Sequence, residues 1–259
     1  MGIKLYKNVE IGEIGKTPLI PFVDDDAFSV AKNSLINWGD SLGTPICYKQ
    51  EQGGQLIQHI LPVFKTEYGQ ISTSSKTNLE LHTETAFHPY KPSFVLLLCL
   101  RGDESAVTTY ANVEDVVAKL SGETIKMLEK SFFITRIDES FRSNGEKDFE
   151  LFTSILRPHI NGGFSMTFDK YFMRGCTEEA QKALDELNAA VNESIKEVVL
   201  ESGDLLVIDN ETTVHGRRPF SAKYDGTDRW VLRLLVSNRY IPLNHKKGNM
   251  IITEFNNQK

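Results

Sequence analysis

The sequence predicts a mostly β chain with flanking helices, folded as a double-sheet jelly roll, a double-stranded β-helix. Three observations predict it. Strand-like apolar runs recur from Ile46 to Val236, helical periodicity is confined to a few segments, and no repeat, low-complexity tract or Pro-rich linker divides the chain. A single domain over residues 1–259, with its core at about 46–238, is therefore expected.

The elements follow in order. Asp24-Asp25-Asp26 precede a segment from about Ala27 to Trp38 in which Phe28, Ala31, Leu35 and Trp38 recur at helical spacing, and acidic residues suit a helix start. Ile46 to Val63 reads as two strands around Gly53-Gly54, with Leu56, Gln58 and Ile60 on one face of the second and Ile57, His59 and Leu61 on the other. Thr66 to Asn78 is polar and reads as a mobile loop. The continuous apolar run Ser93 to Leu100 predicts a strand buried on both faces, and Arg101-Gly-Asp is its turn. Val113 to Leu128 is helical with a break at Ser121-Gly122, and strands are expected at Phe132–Ile137, Leu151–Leu156 and Gly163–Phe168. Thr177 to Leu200 carries an apolar stripe from Ala180 to Ile195 behind a capping threonine, the signature of an amphipathic helix. Strands Leu205–Asp209 and Trp230–Val236 complete the pattern, with a polar loop leading to His215.

Composition excludes several classes. At 40% hydrophobic and 25% charged residues the chain matches neither a disordered nor a membrane protein. Net charge is −6 and no basic cluster occurs, so no nucleic-acid partner is expected. No apolar leader and no run of about 18 apolar residues is present, so no membrane association is expected. Cys47, Cys99 and Cys176 are scattered and odd in number, which fits a reducing cytoplasm.

The chemistry concentrates at Leu79-Glu-Leu-His82-Thr-Glu84. On an extended strand alternate residues share a face, so His82 and Glu84 can enter one pocket. An imidazole and a carboxylate are two parts of the 2-His-1-carboxylate triad of non-haem Fe(II). His215, in Val214-His-Gly-Arg, is the third candidate. A lone histidine is more often structural than a ligand, so His59, His159 and His245 are assigned to the fold, and His88, next to Pro89, to a turn.

The stretches Leu79 to Pro92, Leu97 to Asp103 and Val214 to Trp230 resemble the clavaminate synthase-like branch of the Fe(II)/2-oxoglutarate dioxygenases (TauD/TfdA superfamily), in particular the hydroxylases of free L-arginine, L-asparagine and L-lysine. The resemblance runs from about Gln50 to Asn238. It implies that His82, Glu84 and His215 bind Fe(II), and that Arg229, fourteen residues after His215, pairs with the far carboxylate of 2-oxoglutarate. Thr108 or Thr109 would add a hydroxyl contact to that carboxylate. Arg233, an even number of residues on, would hold the substrate α-carboxylate, and Gln52, with Gln50 competing, the α-amine. Asp169 matches an acid facing the substrate side chain, while a turn role next to Lys170 has equal weight. Thr167, where arginine-specific relatives carry a second acid, puts a two-acid clamp in doubt. Glu84 borders the substrate as well, and its carboxylate favours hydroxylation over halogenation.

The implied reaction consumes 2-oxoglutarate and O2, hydroxylates an unactivated C–H bond of a free polar or basic L-amino acid, and releases succinate and CO2. Lysine and arginine are the favoured substrates, with asparagine as a further option. Desaturation, a peptidyl or carrier-bound substrate, and a non-enzymatic metal-binding jelly roll are the competing readings. The stretch before Ile46 is shorter than in those relatives, which makes Thr66–Asn78 and Asp138–Asp148 the candidate lids.

Overall fold

The computed structural model describes residues 2–21, 28–142 and 150–253. Two sheets face one another, antiparallel except where Met250–Ile251 runs parallel to Thr44–Tyr48 at the edge of the larger. The larger holds eight strands, with Phe94–Arg101 and Trp230–Ser237 side by side at its centre and Leu205–Asp209, Ile3–Tyr6, Thr44–Tyr48 and Ile57–Ile60 around them. The smaller runs Lys196–Val198, Thr108–Asn112, Thr213–Arg217, Leu79–His82.

The apolar run at Phe94–Arg101 is buried on both faces, as its composition predicts. Leu96, Leu98 and Leu100 pack with Phe28, Ala31 and Leu35 beneath the helix Ser29–Leu42, while Val95, Leu97 and Cys99 face the other sheet. Behind the smaller sheet, the helix Glu178–Glu193 buries Ala180, Ala183, Leu184, Leu187, Ala190 and Val191. Its N-cap is Thr177, whose hydroxyl accepts from the Ala180 N–H. Each sheet thus has helices outside it, with Val113–Val117 and Gly122–Leu128 packed beside Glu178–Glu193 behind the smaller one, and the site lies between the inner faces.

Several expectations are corrected. The long helix stops at Glu193 rather than Leu200, because Lys196–Val198 gains a ladder against Thr108–Tyr110 that helix continuation would forfeit. The Leu151–Leu156 run is two strands, Glu150–Thr153 and Leu156–Pro158, in different sheets. Thr66–Asn78 is packed rather than open: Thr73, Ser74 and Ser75 are buried, and Arg217 donates to the Ser74 hydroxyl and the Ser72 carbonyl. His215 lies within the strand Thr213–Arg217, and only a short turn precedes it. Strands Ile3–Tyr6, Thr108–Asn112 and Met173–Gly175 had no expectation. Asp24 to Asp26 and residues 143–148 of the second candidate lid lie outside the described residues.

Candidate functional site

His82 ends the strand Leu79–His82, and His215 sits opposite it in the neighbouring strand, in direct register. Their rings lie 4.6 Å apart, centroid to centroid. Glu84 is not on the strand, contrary to the alternation argument. The chain leaves the sheet after His82, Thr83 bonds to Phe168, and Thr85 takes a positive φ of 49°. That left-handed conformation is costly for a β-branched residue. It is held by the Thr85 hydroxyl, which donates to the Glu84 carbonyl at 2.8 Å and meets the Tyr48 hydroxyl at 3.2 Å. The turn swings the Glu84 carboxylate to 3.6 Å from His215 Nε2.

Ligand atoms of His82, Glu84 and His215 all lie within 4.8 Å of one another. His82 Nδ1 is 2.8 Å from the Glu80 carbonyl, which fixes the ring and leaves Nε2 free. Burial lowers the His215 pKa and so keeps the imidazole neutral. Burial pushes the Glu84 carboxyl up, but Arg233 and His215 outweigh it and hold it well below the usual range, ionised. Two neutral-capable imidazoles and one carboxylate at the edge of a cavity fit an open divalent iron site. Gly216 keeps His215 close to its neighbour: a side chain there would strike the Leu79 carbonyl oxygen.

Two adjoining cavities share His82, Glu84 and Arg233. One is cationic. Arg229 borders it and is 6% exposed, and its guanidinium has no hydrogen bond or ion pair among the described residues. Burial lowers its pKa, and Cys99 and Asp103 only partly offset that effect. Arg217 lies beside it, lowered to about 9 by burial and by the Arg229 charge. An unpaired buried guanidinium is costly, so this cavity fits a carboxylate ligand. Thr108 borders the cavity. Thr109 is buried but does not, because adjacent strand residues face opposite ways.

The other cavity is acidic. Glu51, Glu80, Glu84, Asp138 and Asp169 line it against the single guanidinium of Arg233. Arg233 is tied up more fully than expected: it bonds Glu84 at 2.9 Å, Glu51 at 2.5 Å and the Gln58 amide oxygen. Gln52 does not reach either cavity. It sits at φ 43° in a 3-10 turn that carries it out of the sheet, while Gln50 donates to the Thr253 carbonyl. Asp169 Oδ1 accepts from the Tyr171 and Phe172 N–H groups as in a turn, and the residue also borders the acidic cavity. A β-bridge joins it to His82. Burial raises the Asp169 pKa, and burial with the Asp169 charge raises that of Asp138 further.

Glu51, Gln58, Asp138 and Asn210 escaped the sequence reading. For Gln58 the signal was its place in an alternating strand, which pairs Gln58 with Arg233. Glu51 was hidden between two glutamines competing for one role.

Residues 22–235 match the Taurine catabolism dioxygenase TauD, TfdA family. The chain belongs to this family. It is 35% identical over 206 residues to an L-lysine 3-hydroxylase of Catenulispora acidiphila, covering 78% of this chain and 57% of that protein. It is 36% identical over 200 residues to an L-asparagine oxygenase of Streptomyces coelicolor, covering 75% and 58%. The chain therefore spans little more than half the length of these two relatives. Among solved structures, an asparagine oxygenase in complex with Fe(II), 3-hydroxyasparagine and succinate superposes with a TM-score of 0.87 at 30% identity, covering 97% of this chain and 80% of that one. The double-stranded β-helix is the shared fold.

Proposed function

We propose that this family member hydroxylates a free polar or basic L-amino acid, using Fe(II), 2-oxoglutarate and O2. One observation carries the reading: a buried guanidinium with no ion-pair partner among the described residues, Arg229, opens onto the same cavity as His82, Glu84 and His215. A hydrolytic metal site would leave Arg229 unexplained. Iron held by these three residues would supply oxidative decarboxylation of 2-oxoglutarate, to succinate and CO2, coupled to oxygen insertion into a C–H bond.

The chain's own residues do the rest. Arg229 grips the far carboxylate of 2-oxoglutarate through its planar fork, and Thr108 adds a hydroxyl. Arg233 anchors the substrate α-carboxylate. Two carboxylates, Glu51 and Glu84, face its one positive charge, and the α-ammonium of an amino acid balances the excess at Glu51. Asp169 and Asp138 meet the substrate side chain, where a lysine or arginine cation relieves their mutual repulsion. Ser72 and Gln70 from one loop and Asp138 and Ser140 from another roof the acidic cavity and exclude water. We also infer a cytoplasmic location, on the three free cysteines. Among the described residues no helix is long and apolar enough to cross a membrane.

The test is anaerobic loading with Fe(II), then O2 and 2-oxoglutarate with each of the twenty free amino acids. Succinate and a product heavier by one oxygen should rise with lysine, arginine or asparagine. Succinate stimulated by none of them would sink the reading.

A further inference from the structure

We infer that Asn210 is the positioning residue for the carboxylate ligand of the metal site, an amide clamp that sets where Glu84 stands. The inference rests on the metal reading of His82, Glu84 and His215.

Glu84 lacks the support that His82 and His215 enjoy. Both histidines are fixed by ladder hydrogen bonds within the smaller sheet, whereas Glu84 is two residues beyond the end of its strand, next to Thr85 at φ 49°. Arg233 bonds the Glu84 carboxylate and the Thr85 hydroxyl bonds the Glu84 carbonyl, but without ladder bonds the Glu84 backbone needs a further anchor to keep the ligand within metal geometry. Asn210 supplies what the sheet does not. Its side-chain oxygen accepts from the Glu84 N–H at 2.8 Å, and its amide nitrogen donates to the Glu84 carbonyl at 3.2 Å. The same nitrogen donates to the Pro92 carbonyl at 2.8 Å, and the Asn210 backbone N–H donates to the Ser93 carbonyl at 2.9 Å.

The residue is 1% exposed, and both edges of its amide are used. Only a carboxamide fits, since the site asks for one acceptor and two donations from the same planar group. Aspartate would set a negative oxygen against two carbonyl oxygens. Asn210 also begins the turn into Thr213–Arg217, the strand that carries His215. One side chain therefore ties the two separately encoded halves of the triad to each other.

The clamp predicts a loss of metal affinity that exceeds any loss of fold. Protein stripped of metal is titrated with Mn(II), and the free ion is counted by electron paramagnetic resonance. Asn210→Ala and the isosteric Asn210→Asp should each weaken Mn(II) binding about 10- to 100-fold, the usual effect of losing an outer partner of a metal ligand. Ser93→Ala removes a nearby hydrogen bond, Ser93 to Asn238 at 2.7 Å, without touching Glu84, and should leave Mn(II) affinity unchanged. Deuterium exchange at the Glu84 amide should speed up in Asn210→Ala and stay slow in Asn210→Asp, which keeps the acceptor. A folded Asn210 variant with wild-type Mn(II) affinity overturns the inference. So does failure of both variants to fold, which would leave Asn210 a folding residue only. Wild-type protein that binds no Mn(II) would instead overturn the reading of the triad.

Discussion

The backbone N–H of Gln70 donates to the Glu139 carboxylate at 2.9 Å, joining two segments far apart in sequence directly over the acidic cavity. Gly69 makes the approach close, since a Cβ there would come within 3.2 Å of the same carboxylate. Gln70 in turn is held by Glu80 and Asn78. This contact is the seam between the two candidate lids, and it aims Asp138 and Ser140 inward. Glu139→Ala should raise the KM for the amino acid several-fold and speed proteolysis between residues 66 and 78. Protease sensitivity of that loop should fall when metal, 2-oxoglutarate and substrate bind; an identical cleavage rate in all states would count against a lid.

Arg229→Ala should weaken 2-oxoglutarate binding by about 10- to 150-fold, the range for losing a charge-assisted pair, and leave Mn(II) affinity in place. His82→Ala should do the reverse and abolish metal binding. Calorimetric titration of each ligand separates the two, and an active His82→Ala protein would show that the metal lies elsewhere.

Asp138→Asn and Asp169→Asn should each shift preference from lysine and arginine toward neutral side chains, with a 10-fold or greater loss expected in kcat/KM for the cation, at about 1.4 kcal/mol per decade. Iron affinity should change little for Asp138→Asn. Competition between lysine and asparagine in one reaction vessel gives the ratio directly.

His88 provides a pH dependence of stability. Burial, with Lys91 and His245 adding, lowers its pKa to about 3, while the unfolded chain titrates near the usual value of about 6.5. Between these values the unfolded state binds more protons, so the contribution of neutral His88 is intact above about 6.5 and is lost as pH falls toward 3. Urea unfolding should show stability declining through this window by up to about 1.4 kcal/mol per pH unit, and His88→Gln should flatten the decline.

The legible parts of the site were those fixed by local sequence. Arg229 stands beside the strand Trp230–Ser237, whose apolar run announces it, and the local motifs around His82, His215 and Arg229 carry the family resemblance, although the strand around His215 was not itself legible. The illegible parts depend on which strands become neighbours. Gln58 reaches Arg233, across 175 residues, because Ile57–Ile60 pairs with Trp230–Ser237, and Glu51 reaches it from just beyond the end of Thr44–Tyr48, which pairs with the same strand. Asp138 enters the cavity from a short helical turn that polarity marked as loop without saying where it folds. The helix that ended early fails for the same reason: Lys196–Val198 is a strand only because Thr108–Asn112 offers it an edge.

The bridge between His82 and Asp169 fixes the spacing between the two residues through the backbone. Under the proposed function that spacing would make the pocket a ruler of fixed length between the metal and the substrate's far end. The carbon oxidised would then depend on how far a side chain reaches along that ruler. Asp169→Glu, which advances the carboxylate by about 1.5 Å, one bond length, should move hydroxylation along the substrate chain by one carbon, an outcome that product NMR reads without ambiguity.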